Sequence, residues 1–125
     1  MKNTNISIYV PVYNGEKTIE RCINSVLEQS IKPNNILILN DSSNDNTLKI
    51  LKNYEGLIHI KSNTNNLGLS HSRNIAVNEL KTRYIASVDA DVELDKNWLE
   101  ILYSSILKND ATLAGGRMYE KYINN

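Results

Sequence analysis

The run Ile36-Leu37-Ile38-Leu39 constrains the fold of this chain more than any other segment. It is too short for a helix, lies between the break at Pro33 and the polar stretch Asn40-Asp41-Ser42-Ser43, and has no polar alternation. A strand of that kind is buried on both faces, which is the habit of a parallel sheet covered by helices on each side. The flanking pattern agrees. Further strands are expected over 6–10, 57–61 and 84–88, with a fifth over 112–115. Helices are expected over 18–29, where Ile19, Cys22, Ile23, Val26 and Leu27 repeat at helical spacing, over 69–80, and over 94–107 with Trp98, Ile101, Leu102 and Ile106 inward. A shorter helix follows the second strand, capped by Ser43 or Asp45 and carrying Leu48, Ile50 and Leu51. Alternation of this kind gives right-handed βαβ units: an α/β fold, mostly a parallel sheet with helices on both faces. At 125 residues and 41% hydrophobic content the chain is one domain's worth of material, residues 1–125.

Charge and composition narrow the function. Fourteen basic and fourteen acidic residues cancel, with no basic run, so no electrostatic case exists for nucleic acid or an anionic membrane surface. No apolar run approaches the roughly 20 residues of a membrane helix, and Met1-Lys2-Asn3-Thr4-Asn5 does not read as a signal peptide; a cytoplasmic protein is the expectation. Cys22 is the single cysteine, which excludes an internal disulfide, and its place on an apolar stripe gives it a packing role.

In a parallel sheet the binding crevice lies at the carboxyl ends of the strands. The loops leaving those ends are polar and acidic: Pro11-Val12-Tyr13-Asn14-Gly15-Glu16, Asn40-Asp41-Ser42-Ser43-Asn44-Asp45, residues 63–70, and Asp89-Ala90-Asp91. The last ends the apolar run Ile85-Ala86-Ser87-Val88 in two carboxylates. Such a pair can hold Mg²⁺ or Mn²⁺ together with substrate phosphate oxygens, or can be no more than a solvated turn. Asp45 reads as a helix cap, whereas Asp41 follows the buried strand directly, where no turn requires a carboxylate. Arg73 shares a helical stripe with Leu69, Ala76, Val77 and Leu80, so it either bridges to an internal acid or reaches over the strand ends toward a phosphate. His71 and His59 have no metal-binding pattern around them.

Taken in order, Val10-Pro11-Val12-Tyr13-Asn14, the stretch Asn40 to Thr47, Asn66-Leu67-Gly68-Leu69-Ser70 with Arg73-Asn74, and Asp89-Ala90-Asp91 resemble the successive motifs of family-two glycosyltransferases, inverting, metal-dependent enzymes of the GT-A fold, a Rossmann-like nucleotide-diphospho-sugar transferase architecture. The resemblance covers nearly the whole chain. It implies that Pro11, Val12 and Tyr13 pack around the nucleotide base, that Asp41 accepts the imino hydrogen of uracil, and that Arg73 lines the nucleotide-sugar pocket. It further implies that Asp89 contacts the ribose and that Asp91 binds the divalent cation, Mn²⁺ or Mg²⁺, clamping the diphosphate. Asn40 stands where that family often has a further aspartate, Ser42 and Asn46 where glycine is common, and Ala76 where glycine frequently follows the Arg-Asn pair.

The function implied is transfer of a sugar from a nucleotide diphosphate, a UDP-sugar, to the hydroxyl of a saccharide or lipid-linked acceptor. Inversion needs a general base. In the resembling family that aspartate lies in the second half of the catalytic domain, so it is expected beyond Asn125, and Glu120 does not match it; the chain then reads as the nucleotide-binding portion of a truncated GT-A domain. Two rivals remain. One is a nucleotide-sugar-binding module without catalysis; the other, a receiver-like signalling domain, needs acids after the first strand and a late lysine that the sequence does not offer. Without a second half, an uncovered sheet surface would favour self-association; in a longer protein the domain could sit at the inner face of the membrane.

Overall fold

The computed structural model describes residues 4–119. Strands β1 (Ile6–Val12), β2 (Ile36–Asn40), β3 (His59–Ser62) and β4 (Tyr84–Ser87) form one parallel sheet in the order β3-β2-β1-β4. Helices α1 (Ile19–Leu27), α2 (Thr47–Lys52), α3 (Leu69–Glu79) and α4 (Trp98–Asn109) fill the connections. β1 and β2 are buried at every residue, as their continuous apolar runs require.

Strand alternation divides the side chains between two layers. Ile6, Ile8, Val10 and Val12 of β1 with Ile36 and Ile38 of β2 join Ile19, Cys22, Ile23 and Val26 of α1, Leu51 of α2 and Leu99 of α4 in the main core. Tyr9, Leu37 and Leu39 point the other way, onto Ala76 and Leu80 of α3. β1 runs two residues past the expected end because Pro11 pairs with Leu39 and Val12 with Asn40. Pro11 is tolerated in this central strand because pairing with β4 stops at Tyr9, so no ladder bond needs the missing N–H.

The differences from the sequence-based expectation concentrate after β3. α3 buries Ser72, Ala76 and Leu80 with part of Ile75, while Leu69, Arg73 and Val77 face outward. The spacing of Ala76 and Leu80 is compatible with either residue 72 or 73 beneath the helix, and the small serine takes the close approach to the sheet. α4 starts at Trp98 instead of 94, because the backbone of 94–96 bonds to Ser25 of α1 and to Gln29 and Ser30 just past it. Its buried residues are Leu99 and Ile106, and Ile101 is 63% exposed instead of inward. Residues 112–115 form no strand, and Leu113 is 87% exposed. Glu120 lies outside the described residues. No helix among the described residues is long and apolar enough to cross a membrane.

Candidate functional site

Chain order reverses between β1 and β4, which places the crevice of a parallel sheet between their carboxyl ends. The turn after β1 and the Asp89-Ala90-Asp91 segment meet there. A Cβ built on Gly15 would lie 2.6 Å from Val12 Cγ2 and 3.9 Å from Ala90 Cβ, so only glycine lets the turn close this tightly.

The loops after β1 and β2 are stitched together by side chains bonding to backbone. Asn14 N–H donates to Ser43 Oγ at 2.9 Å, Gly15 N–H to Thr47 Oγ1 at 2.9 Å and Glu16 N–H to Asp45 Oδ2 at 3.2 Å. In the reverse direction, Asn44 N–H donates to Asn14 Oδ1 at 2.9 Å and Asn46 N–H to Glu16 Oε2 at 3.0 Å. Asn14 and Ser42 hold left-handed φ values of 51° and 63° to make these turns. Asp45 also accepts from the N–H of Thr47 at 2.9 Å, the capping role its position suggested, although Asn46 occupies the N-cap itself. Asn14, named in the sequence reading only as part of its loop and motif and given no role there, carries a legible signal: Asn-Gly after a strand marks a tight turn.

Asp41 is 5% exposed and fixes the loop after β3. Its Oδ1 accepts from Asn63 Nδ2 and Leu67 N–H, each at 2.9 Å, and its Oδ2 accepts from Gly68 N–H at 2.9 Å. The expectation that no turn requires this carboxylate is therefore corrected: the turn is supplied from another strand's loop, which sequence proximity could not reveal. Burial alone would raise its pKa, but the bonds from Leu67, Asn63 and Gly68, with the charge of His71, outweigh burial and hold it below the ordinary value. Asp45 is lowered in the same way, its bonds from Thr47 and Glu16 overcoming burial. A carboxylate offers about four acceptor positions, so three bonds leave Asp41 one, on Oδ2.

The segment after β4 is different. Val88 N–H bonds to Tyr9 O at 3.1 Å, and the chain then leaves the sheet with Asp89 and Asp91 exposed. Neither carboxylate has a hydrogen-bond or ion-pair partner among the described residues. The other acids of these loops are engaged: Glu16, Asp41 and Asp45 as above, Glu93 with Arg21 at 3.6 Å, and Asp95 with Asn97 N–H at 2.9 Å. Cys22 is fully buried beneath, its Sγ 3.5 Å from Asp89 O. Burial, reinforced by the charges of Asp91 and Asp89, pushes its thiol up to about 12 and keeps it a neutral donor.

The candidate residues fall into three groups. Asp41, Asp89 and Asp91 lie at one edge of the sheet with Tyr13, which is 50% exposed. Pro11 and Val12 are buried in β1, and the Val12 side chain belongs to the main core, so it offers only its backbone to that edge. Arg73 is an exposed residue of α3 with no partner among the described residues; neither the shared packing stripe nor an internal ion pair is present. No group of three or more His, Cys, Asp or Glu side chains is placed to hold a metal ion among the described residues. Two unpartnered carboxylates suit a hard cation that takes its other oxygens from a diphosphate and water, and do not make a self-sufficient cage.

The pattern of glycosyl transferase family 2 matches residues 7–125. The chain is 33% identical to glycosyltransferase GlyA of Streptococcus pneumoniae over 116 residues, 91% of this chain and 17% of GlyA. It is 36% identical over 121 residues to WfgD of Escherichia coli, a UDP-Glc:α-D-GlcNAc-diphosphoundecaprenol β-1,3-glucosyltransferase, with 96% of this chain and 47% of WfgD aligned. Among solved structures, residues 1–349 of Staphylococcus aureus TarS in complex with UDP-GlcNAc superpose with a TM-score of 0.75 at 28% identity, covering 86% of this chain and 32% of that one. The chain thus spans less than half the length of these relatives. With the family pattern covering residues 7–125 and the parallel α/β fold superposing on TarS, this chain belongs to glycosyl transferase family 2.

Proposed function

We propose that this chain binds the donor of a metal-dependent, inverting glycosyltransferase, a UDP-sugar, at the carboxyl edge of its sheet. The observation that carries the reading is the presence, at the same carboxyl edge of the sheet, of a buried carboxylate holding one open acceptor position, Asp41 after β2, and two exposed carboxylates without a partner among the described residues, Asp89 and Asp91 after β4. The first suits the N3–H of uracil. Cytosine presents a lone pair there and is repelled. The second suits a diphosphate bridged through a cation, with Asp89 toward the ribose and Asp91 toward the metal. Tyr13 offers a half-exposed ring beside the base, and Arg73, exposed on α3, is available to a phosphate. The complex of TarS with UDP-GlcNAc and the UDP-Glc donor in the name of WfgD support the choice of base.

A bound Mg²⁺ or Mn²⁺ would supply Lewis-acid stabilisation of the departing diphosphate. The chain's own contribution is to orient the donor between Asp41 and Asp91, with the bonds from Leu67, Asn63 and Gly68 favouring the ionised form of Asp41. Asp89 is assigned to the ribose, and Glu16, Asp45, Glu93 and Asp95 are each engaged in a hydrogen bond or ion pair, so the described residues support donor binding more directly than complete catalysis. Isothermal titration of UDP, with Mn²⁺ and with chelator, tests the reading against CDP as competitor. Tighter UDP binding in Mn²⁺ and preference over CDP are expected; equal affinity with and without metal refutes the role of Asp91, and equal affinity for CDP refutes that of Asp41.

A further inference from the structure

The segment from Val88 to Asn97 has no regular secondary structure, yet it presents Asp89 and Asp91. Its backbone groups need partners from elsewhere. Some lie within the segment, as with Val92 N–H to Asp89 O at 3.1 Å, and others come from α1 and the residues just past it. Cys22 and Ser25, three residues apart, share the face of α1 that looks at this segment, and Gln29 follows two residues past the helix end. Cys22 Sγ lies 3.5 Å from Asp89 O, Leu94 N–H donates to Ser25 Oγ at 3.0 Å, and Gln29 Nε2 donates to Asp95 O at 2.7 Å. Gln29 Oε1 then accepts from Leu99 N–H at 2.8 Å. Immediately beyond, Ser30 N–H donates to Lys96 O at 2.9 Å.

Polar groups at these positions need a reason. Gln29 is 2% exposed and Ser25 7%, and an apolar side chain would fill either space without a desolvation cost. The amide of Gln29 uses both its donor and its acceptor on backbone groups four residues apart, which fixes the register of the chain as it turns from the loop into α4. With Val88 bonded to β1 and Asp89 O held by Cys22, the acidic motif is clamped upstream and downstream.

We infer that Gln29 and Ser25 are positioning residues for the diphosphate end of the site: through the loop backbone they set the direction in which Asp89 and Asp91 leave the sheet, without touching ligand. The inference rests on the donor-binding reading above and adds residues to it. Gln29→Leu removes the two amide bonds to the loop and α4, together with the bond from Nε2 to Ser25 O at 3.1 Å. Gln29→Glu keeps the acceptor for Leu99 N–H and loses the donor to Asp95 O and Ser25 O. In Mn²⁺, UDP affinity should fall about ten- to hundredfold in Gln29→Leu, the range for partners that orient metal ligands, and less in Gln29→Glu. Affinity for UDP in chelator and for uridine, which lose only the Asp89 contact to the ribose, should fall much less than affinity for UDP in Mn²⁺. Amide hydrogen exchange should accelerate in residues 89–97 and not in residues 41–46.

Parent-like Mn²⁺ enhancement together with parent-like exchange of 89–97 in Gln29→Leu would overturn the inference. So would a loss shared equally by uridine binding and by exchange of 41–46, since that is general destabilisation. If Gln29→Leu does not fold, Ser25→Ala decides, with an expected loss in Mn²⁺ of about fivefold for one hydrogen bond, and no loss overturning it. If the parent itself shows no Mn²⁺ enhancement, the metal reading fails. The exchange of residues 89–97 in the variants still decides whether α1 positions the loop.

Discussion

After β2, Asp41 and Asp45 are ringed by N–H groups and lock three loops together, whereas after β4 Asp89 and Asp91 stand exposed with no side-chain partner among the described residues. The same residue type therefore does opposite work at two strand ends on either side of β1. The engaged pair shapes a surface. The open pair leaves charge available to a ligand, and its position is set by neutral bonds from beneath. Preorganising a loop with a carboxylate consumes the acceptor positions that a cation would need, so the two tasks fall on different acids.

The largest effect expected from this contrast is on stability. Asp41→Asn faces the N–H groups of Leu67 and Gly68 with a group that has half the acceptor capacity and no charge, which should cost about 3 kcal/mol of unfolding free energy. Asp91→Asn should stay within about 0.5 kcal/mol of the parent, as exposed sites without partners do. Urea unfolding of both variants measures the difference. Similar stability losses would break the division between engaged and open acids.

Next in size is the mirror image in binding. Asp91→Ala should weaken UDP binding in Mn²⁺ about ten- to hundredfold, corresponding to roughly 1.5 to 3 kcal/mol for a charged contact, while the melting temperature barely moves. Calorimetry and thermal scans on the same sample make the comparison direct. A variant that binds as the parent does would leave the exposure of Asp91 without functional meaning.

These two ends also differed in how far the sequence exposed them. The apolar runs of β1 and β2 and the stripe of α1 announced the sheet and its main layer, because period and burial are local properties. Asp89 and Asp91 were legible for the same reason: an apolar run ending in two acids needs no distant information. The partners of Asp41 were not, since Asn63, Leu67 and Gly68 arrive from a loop more than 20 residues away. The orientation of Arg73 failed on a finer point, the choice between adjacent helix positions. The absent strand at 112–115 had composition in its favour but no pairing neighbour among the described residues. Ser25 and Gln29 could have been noticed as polar residues on the first helix's apolar side, although their partners could not.

Acid sharpens the contrast further. Native Asp41 and Asp45 ionise below their ordinary value of 3.8, so they stabilise the fold above that value, and the stabilisation is lost as pH falls through their lowered native pKa values. Stability should decline below about pH 4 in the parent, with a shallower decline in Asp41→Asn, which has already lost one of the two groups. Denaturant titrations between about pH 2.5 and pH 6 give the slope. Parallel slopes for parent and variant would show that the bonds around Asp41 do not favour its charged form.

The smallest effect concerns the backbone that makes the engaged end possible. Ser42 holds φ at 63°, a region that costs a residue with a Cβ about 1 kcal/mol and costs glycine nothing. Its hydroxyl donates to Thr64 O at 3.3 Å, a long bond at an incompletely buried site that returns only part of that cost. Ser42→Gly should therefore stabilise the domain by about 0.5 kcal/mol, the gain being limited by the greater freedom of glycine in the unfolded chain. UDP affinity should not change, because the Asp41 carboxylate keeps all three donors. A loss of stability instead would mean that the Ser42–Thr64 link matters more than the strain, and that the loops after β2 and β3 are tied by two comparable bridges. An unchanged stability with weaker UDP binding would shift attention to the Ser42 hydroxyl as a ligand contact, giving the engaged end a second polar group directed at the nucleotide.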